Sequence, residues 1–458
     1  MSRAWAVIVC FTIAGCAGPR PQVPVDASVI PPPSWRGAPN DTATPVTATW
    51  WDAFGDPALT RAVATALTNN TDLHLAVARV EEARGQFHFA SAQLLPNVSA
   101  QGSGGRERSV NPGFGTPELQ WTGQGVVSLS YDLDLFGQLA AARDAAYARL
   151  LAAADSHDSV RLAVATSTAG GYITLAALDA RLVVLRETLT QRANSLNVIR
   201  RRTDAGYSTQ LDLAQAEAEY RGTAQLIPAT ELAIARQENG LSVLLGSAPR
   251  EVQRGLELHA LVLPEIPAAL PAELLRRRPD IAAAENQLVA ADAALDSARA
   301  AFMPSVQLAA SGGLVASNIF PTSPIWIYAL GAGLTAPIFD SGRLQAQQET
   351  AAARRDQAAY AYKNAALGAF REVEDGLASV VLLDQQEKQL VAQRDALAHA
   401  LGLATRRYRA GYSPYLDQLD AERNLLQVEL SLVQSRTDRL NAAVDLYRAL
   451  GGGWDEYQ

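Results

Sequence analysis

Residues 201–217, RRTDAGYSTQLDLAQAE, return at 406–422 as RRYRAGYSPYLDQLDAE, with 10 identities in 17 positions. Gly206 and Gly411 set the offset at 205, which holds without a gap from Arg201/Arg406 to Gly246/Gly451. An earlier echo pairs LLPNVSAQGSGG, ending at Gly105, with FMPSVQLAASGG, ending at Gly313, at an offset of 208. The two registers differ by a three-residue loop change. A period this long excludes a solenoid, whose units are a few tens of residues. The chain is two copies of one architectural unit, so any reading of one copy must also work for the other.

A formal net charge of −8, from 39 Lys and Arg against 47 Asp and Glu, argues against nucleic acid as a general partner, which needs a basic footprint. The N-terminus reads as an export signal: Arg3 precedes an apolar run, Ala4 to Ala14, that is too short to span a bilayer. The run ends in Ile13-Ala14-Gly15-Cys16. Loss of Cys10 with a 1–15 signal peptide would leave Cys16 as the lone thiol, which cannot form an internal disulfide. An ordinary signal peptide with an incidental Cys is the alternative. Residues 16–48 are Pro-rich (PRPQVPVDASVIPPPSWRGAP over 19–39) and predict an extended tether.

The expected units are repeat 1 over 49–246, a linker over 247–269, repeat 2 over 270–451 and a tail over 452–458. Each repeat reads helix, strand, strand, long helix, return helix. In repeat 1 a helix runs from Asp56-Pro57 to about Gln93, strands lie near 97–106 and 121–133, and helix-forming sequence continues from Gly137 to a turn at 205–208. Repeat 2 has a helix from about Asp280, strands near 305–315 and 325–338, a long helix over 342–408 and a turn at 410–413. Gly137 to Ala205 as one helix would be roughly 100 Å long, far beyond a compact domain. Gly-marked turns between such helices predict long antiparallel hairpins.

The strand segments alternate. Trp121, Val127, Leu129, Tyr131 and Leu133 share one face, with Thr122, Gln124, Ser128, Ser130 and Asp132 on the other; Trp326, Tyr328, Leu330 and Leu334 repeat the apolar face. An apolar-out, polar-in dyad with aromatics near its ends is the pattern of a membrane β-barrel, and Trp121, Tyr131, Trp326 and Tyr328 are the expected membrane-interface aromatics. A half-buried sheet in a soluble domain gives the same alternation. Ala300 to Phe339 carries no charge, but Pro304, Pro321, Pro324 and Pro337 break it below the length of a spanning helix. Four strands cannot close in lipid, where each backbone N–H and C=O needs a partner. Two chains would give an eight-stranded barrel filled by its own side chains, whereas three give twelve strands and a lumen.

The duplicated plan, the RRxxAGYSxxLD turns, RRRPDIAAAE at 276–285 followed by AFMPSV, and the lipobox-like Cys16 together resemble the TolC-type outer-membrane factors, in their lipidated, NodT-like efflux branch. The resemblance covers residues 49–451. It implies a mainly α fold with a membrane β contribution: a homotrimer with four strands per chain, a 12-stranded barrel in the outer membrane and a helical tunnel through the periplasm. It further implies acylation of Cys16 with no other cofactor and outer-membrane delivery, since Ala17 replaces the retention Asp. The implied partners are a periplasmic adaptor (a membrane fusion protein) and a proton-driven inner-membrane transporter. The implied function is a passive exit duct for drugs or toxic compounds. A duct for type I protein secretion and a lipid-anchored periplasmic scaffold are the alternatives.

The resemblance places adaptor contacts at the tips, on Arg202, Gly206, Tyr207, Ser208 and Leu211 and on Arg407, Gly411, Tyr412 and Ser413, and a periplasmic gate on Leu416, Asp420 and Arg423. The gate residues share one helical face, so threefold symmetry would turn each into a ring. A solvated face with an ordinary ion pair is the plainer reading. Gly is expected to end each long helix and the following Ser to cap the next. No enzyme is expected: His74, His88, His157, His259 and His399 are scattered, and no nucleophile elbow, P-loop or metal-ligand spacing occurs.

Overall fold

The computed structural model describes residues 19–36, 47–110, 115, 117–264, 271–318, 322 and 324–452. The 1–15 leader and Cys16 lie outside the described residues, as do 17–18 and 37–46 of the tether, 265–269 of the linker, residue 270 and 453–458 of the tail.

Repeat 1 comprises α1 (Pro57–Asn69), α2 (Thr71–Ala92), β1 (Asn97–Val110), β2 (Pro117–Leu133), α3 (Gln138–Asp204), α4 (Gln210–Ala224) and α5 (Leu226–Leu244). Repeat 2 comprises α6 (Pro271–Arg277), α7 (Pro279–Ala300), β3 (Ser305–Ser317), β4 (Ile325–Thr335), α8 (Arg343–Arg409) and α9 (Tyr415–Ala449). The long helices α3 and α8 both have 67 residues, and α2 and α7 both have 22. Two breaks depart from the expected continuous helices. The 57–93 helix is interrupted at Asn70, whose side-chain oxygen accepts from the N–H groups of Asp72 (2.9 Å) and Leu73 (3.2 Å) and starts α2 afresh. The return helix of repeat 1 divides at Gln225, because Pro228 has no N–H for the Ala224 carbonyl; the same position in repeat 2 is Val433, and α9 runs on unbroken.

One compact unit takes in 78–154 and 283–364, with the described N-terminal residues up to Val29. It holds a single antiparallel sheet in the order β1-β2-β3-β4. The strands overrun their expected limits at the loop ends, with β1 reaching Val110 and β2 starting at Pro117, while β4 stops at Thr335, two residues before Pro337. Repeat 1 meets repeat 2 at the β2–β3 ladder, where Val126 pairs with Gly313. A Cβ at Gly313 would run into the Gly125 carbonyl oxygen and lie 2.8 Å from the Val126 Cα. The two backbones approach this closely only because residue 313 is Gly. The N-terminal segment is no free tether: Arg20 is ion-paired to Asp292 (2.8 Å) and Asp296 (2.9 Å).

The second unit takes in 30–77, 155–282 and 365–458. Here α3 packs antiparallel to α4 and α5, through Arg186–Glu231 (2.8 Å) and the contact of Leu175 with Leu241, and α8 packs likewise on α9, through Arg439–Glu387 (2.7 Å). The main core gathers Trp50, Phe54 and Leu59 against Tyr172 and Ile173 of α3 and Leu440 and Tyr447 of α9, with Trp50 stacked on Tyr447 at 5.3 Å. Buried Asp56 caps α1 through the Ala58 N–H (2.7 Å) and also accepts from Tyr172 Oη (3.0 Å) and Leu256 N–H (2.9 Å). The described part of the linker is thereby packed into this core. The duplication is visible in single bonds. Asn70 donates to the Leu244 carbonyl (2.9 Å), and Arg278, its counterpart, donates to the Ala449 carbonyl (3.1 Å).

Candidate functional site

The sheet has two chemically different faces. From the register, Leu129, Ala310 and Leu330 lie in one cross-strand row and Leu133, Val306 and Leu334 in another, all on the same side. Ser128, Ser130, Gln307 and Ser311 point the other way. On the apolar side Trp326 is 78% and Tyr328 85% exposed. A broad apolar face with Trp326, Tyr328, Leu330 and Leu334 this exposed cannot be left to water, so it marks a lipid boundary. Trp121 lies at the loop end, where its N–H and carbonyl bond Asn318 and Ser317 (both 2.9 Å). Tyr131, paired with Leu308, lies near the helix end. Among the described residues, no strand lies beside the outer edges of β1 and β4.

Both tips share one backbone. Gly206 and Gly411 each have φ 79°, the left-handed region that glycine adopts without strain. Tyr207 N–H donates to the Arg202 carbonyl (2.7 Å) and Gly206 N–H to that of Thr203 (3.0 Å). Tyr412 and Gly411 repeat this with Arg407 (2.9 Å) and Tyr408 (3.1 Å), so each long helix ends in a Schellman motif. Tyr207 and Tyr412 are 81% and 80% exposed, beside exposed Leu211 and Leu416. The expected Ser caps are not what starts the return helices. In repeat 1 the N-cap is Thr209, which forms a capping box with Asp212, while Ser208 donates to Asp212 Oδ2 (2.9 Å). Burial opposes ionisation of Asp212, but the bonds from Thr209 and Ser208 outweigh it and hold its carboxyl below the usual range. In repeat 2 the N-cap is Pro414, without a side-chain cap bond, and Ser413 Oγ has no partner in the single chain.

The three expected gate residues lie together near the start of α9, and the Asp420–Arg423 ion pair is present on an exposed face, but it is not the closest contact of Arg423. Arg423 reaches Asp420 only at 3.6 Å, whereas two of its nitrogens lie 2.6 and 2.8 Å from Glu219 on α4. Glu219 also meets the buried Arg192 of α3 at 2.8 Å, and Arg192 donates to Thr223 Oγ1 (2.5 Å). One carboxylate thus joins three helices, α3, α4 and α9. Below it, Leu196, Ile199, Ala216, Tyr415 and Leu419 form a small core. Glu422 is set into this region. Burial pushes its carboxyl above the ordinary range, and the Gln418 amide and the Arg192 charge only partly offset that. Sequence reasoning missed Arg192 and Glu219. The available signal was a single charge at helical spacing from small or apolar residues that turn out to be buried, Arg192 with Leu196 and Ile199, and Glu219 with Ala216 and Thr223.

Nothing at these sites resembles a catalytic centre, and the described residues contain no cluster of metal-ligating groups. A cavity of about 940 Å³ in the second unit is walled by Leu175, Val183, Leu432 and Val433, and its charged groups are already paired, Asp179 with Arg254 (2.9 Å) and Glu387 with Arg436 (3.7 Å).

The family model for outer membrane efflux proteins matches residues 62–247 and 270–452, one match per repeat. The chain is 35% identical to the toluene efflux pump outer membrane protein TtgC of Pseudomonas putida, with 98% of this chain and 95% of that one aligned. It is likewise 35% identical to the outer membrane protein OprJ of Pseudomonas aeruginosa, over 98% and 96%. Among solved structures, the open state of the MtrE outer membrane channel of Neisseria gonorrhoeae superposes with a TM-score of 0.82 at 29% identity, covering 95% of this chain and 97% of that one. With both repeats matched and relatives aligned almost end to end, the chain belongs to the outer membrane efflux protein family and is an outer-membrane channel component of an efflux pump.

Proposed function

We propose that three copies of this chain close one 12-stranded barrel in the outer membrane and serve as the passive, gated exit duct of a tripartite efflux system. The observation that carries this reading is the four-stranded sheet with an exposed apolar face and two unpaired edges. Such a sheet is untenable alone in lipid, and β1 of one copy beside β4 of the next satisfies both edges. Work for transport comes from an inner-membrane transporter, proton-driven, handed on through a periplasmic adaptor that meets the exposed Tyr207, Leu211 and Tyr412 and the flanking Arg202 and Arg407. Acylation of Cys16 supplies a second hold on the outer membrane. The cargo is small organic compounds, in keeping with relatives named for toluene, solvent and antibiotic efflux. A periplasmic scaffold would have no use for the two-faced sheet.

In this reading Leu416, Asp420 and Arg423 each form a threefold ring, and the Arg423–Glu219–Arg192 link holds the ring in place within each copy. The direct test is native mass measurement in detergent followed by planar bilayers. A trimer whose conductance rises in Arg423→Ala is the expected result. A stable monomer, or a trimer that never conducts even with the link removed, would overturn it.

A further inference from the structure

The Pro-rich N-terminal segment is seated on a built site. Arg355 of α8 is 1% exposed, yet its guanidinium points at the segment: Nη1 donates to the Pro21 carbonyl (2.7 Å) and Nη2 to the Gln22 carbonyl (2.9 Å). Its remaining neighbours are Asp356 at 2.8 Å and Asp292 at 4.0 Å. Upstream, Arg20 binds Asp292 and Asp296 of α7. Downstream, Tyr360 Oη donates to the Asp26 carboxylate (2.9 and 3.0 Å), Lys363 Nζ donates to the Asp26 carbonyl, and Ala27 is buried.

The chemistry of this contact is specific to an extended, proline-rich chain. Such a backbone makes no internal hydrogen bonds, so successive carbonyls stand free. The planar fork of Arg presents two donors side by side and can take two of them at once, which the point charge of Lys cannot. The segment itself helps to cover the guanidinium, so its departure would exchange two charge-assisted bonds for water and expose the site.

We propose that the groove between α7 and α8 is a dedicated seat for the N-terminal segment, with Arg355 as its positioning residue, and that the seat fixes where the lipid anchor enters the membrane. The anchoring half of the proposal rests on acylation of Cys16. The four residues from Cys16 to Arg20 span at most about 14 Å. Asp296, which holds Arg20, is four residues from the end of α7, and β3 starts at Ser305. The acyl chains therefore insert beside the strand-side end of α7. An unseated segment would let them roam over the reach of a flexible tether.

The test uses the full-length, membrane-inserted protein carrying Ala27→Cys, labelled with a membrane-impermeant maleimide. With Arg355 intact the introduced thiol is expected to react slowly. Arg355→Met and Arg355→Lys should both speed labelling, the former by at least about tenfold, since it removes both charge-assisted bonds and one alone is worth about that factor. Asp292→Asn with Asp296→Asn, which leaves Arg355 in place, should speed it by a smaller factor and keeps the test alive if the Arg355 variants fail to assemble. Unchanged labelling in variants that still assemble would overturn the seat. The mass of the N-terminal tryptic peptide reads the acyl group separately: a bare Cys16 would remove the anchoring half, while the dependence on Arg355 would still stand or fall by itself.

Discussion

At the tip of repeat 1, Asp212 closes a capping box with Thr209; its counterpart in repeat 2, Asp417, is exposed and follows Pro414, which offers no side-chain cap. Seven residues past each Gln210/Tyr415 pair the contrast reverses. Glu217 is exposed and only loosely paired with Arg221 at 3.9 Å, whereas Glu422 is half-buried beside Gln418 and Arg192. The position equivalent to Arg423 in repeat 1 is Ala218, so the network has no duplicate. The backbone of the tip, with its glycine at φ 79°, has been retained in both copies while the side chains have diverged. Repeat 1 therefore invests in local helix stability and repeat 2 in contacts to the rest of the bundle. Duplication preserves the geometry that any copy needs in order to fold, and asymmetry between copies is where a moving part can be built.

The contrast can be broken most severely in the sheet. Gly313 and Gly105 are repeat equivalents, but only a Cβ at 313 meets backbone. Gly313→Ala should cost roughly 3 kcal/mol and abolish heat-resistant oligomer on gels. Gly105→Ala should leave the monomer's sheet intact, and any loss of oligomer it causes would place an equally tight approach at the β1 edge between copies. At the tip, Glu219→Ala strands Arg192 and should destabilise the bundle by about 3 kcal/mol while raising conductance. Glu217→Ala, on the same helix, should do neither. Thr209→Ala removes the capping box and should cost about 1 kcal/mol, read as faster hydrogen exchange over the first turn of α4; Pro414→Ala should change little.

The smallest expected effect is on pH. The carboxyls of Glu422 and Glu429 are both raised, chiefly by burial. A raised folded-state value means the fold holds the proton more tightly than the unfolded chain does, so stability from these groups falls as pH rises through that value. Hydrogen-exchange protection around 415–429, taken relative to the intrinsic exchange rate at each pH, should thus rise as pH drops from neutral towards the ordinary carboxylate range, and Glu422→Gln should flatten that response. A response in the opposite sense would show that these groups carry their charge in the folded bundle.

Most of the architecture was legible because its signals are periodic and repeated: the 205-residue echo, the dyad in 121–133, and the Gly-Tyr-Ser turns. Breaks governed by single residues were not. Nothing in the periodicity of 57–93 announces that Asn70 will turn its side chain back on α2, and Pro228 was legible only against its partner Val433. The seat of residues 20–27 and the Arg192–Glu219–Arg423 link both join residues far apart in sequence. Composition marks the first as a tether and the second as scattered charges, since a pattern along the chain records which residues face inward and not which distant partner they meet.

The unpaired borders of β1 and β4 have a genetic corollary. If closure needs three sound copies at once, one crippled subunit drawn into an assembly spoils two healthy ones. An allele whose strands still assemble but cannot seal the barrel should then act as a dominant poison, silencing export even in cells that also carry an intact gene.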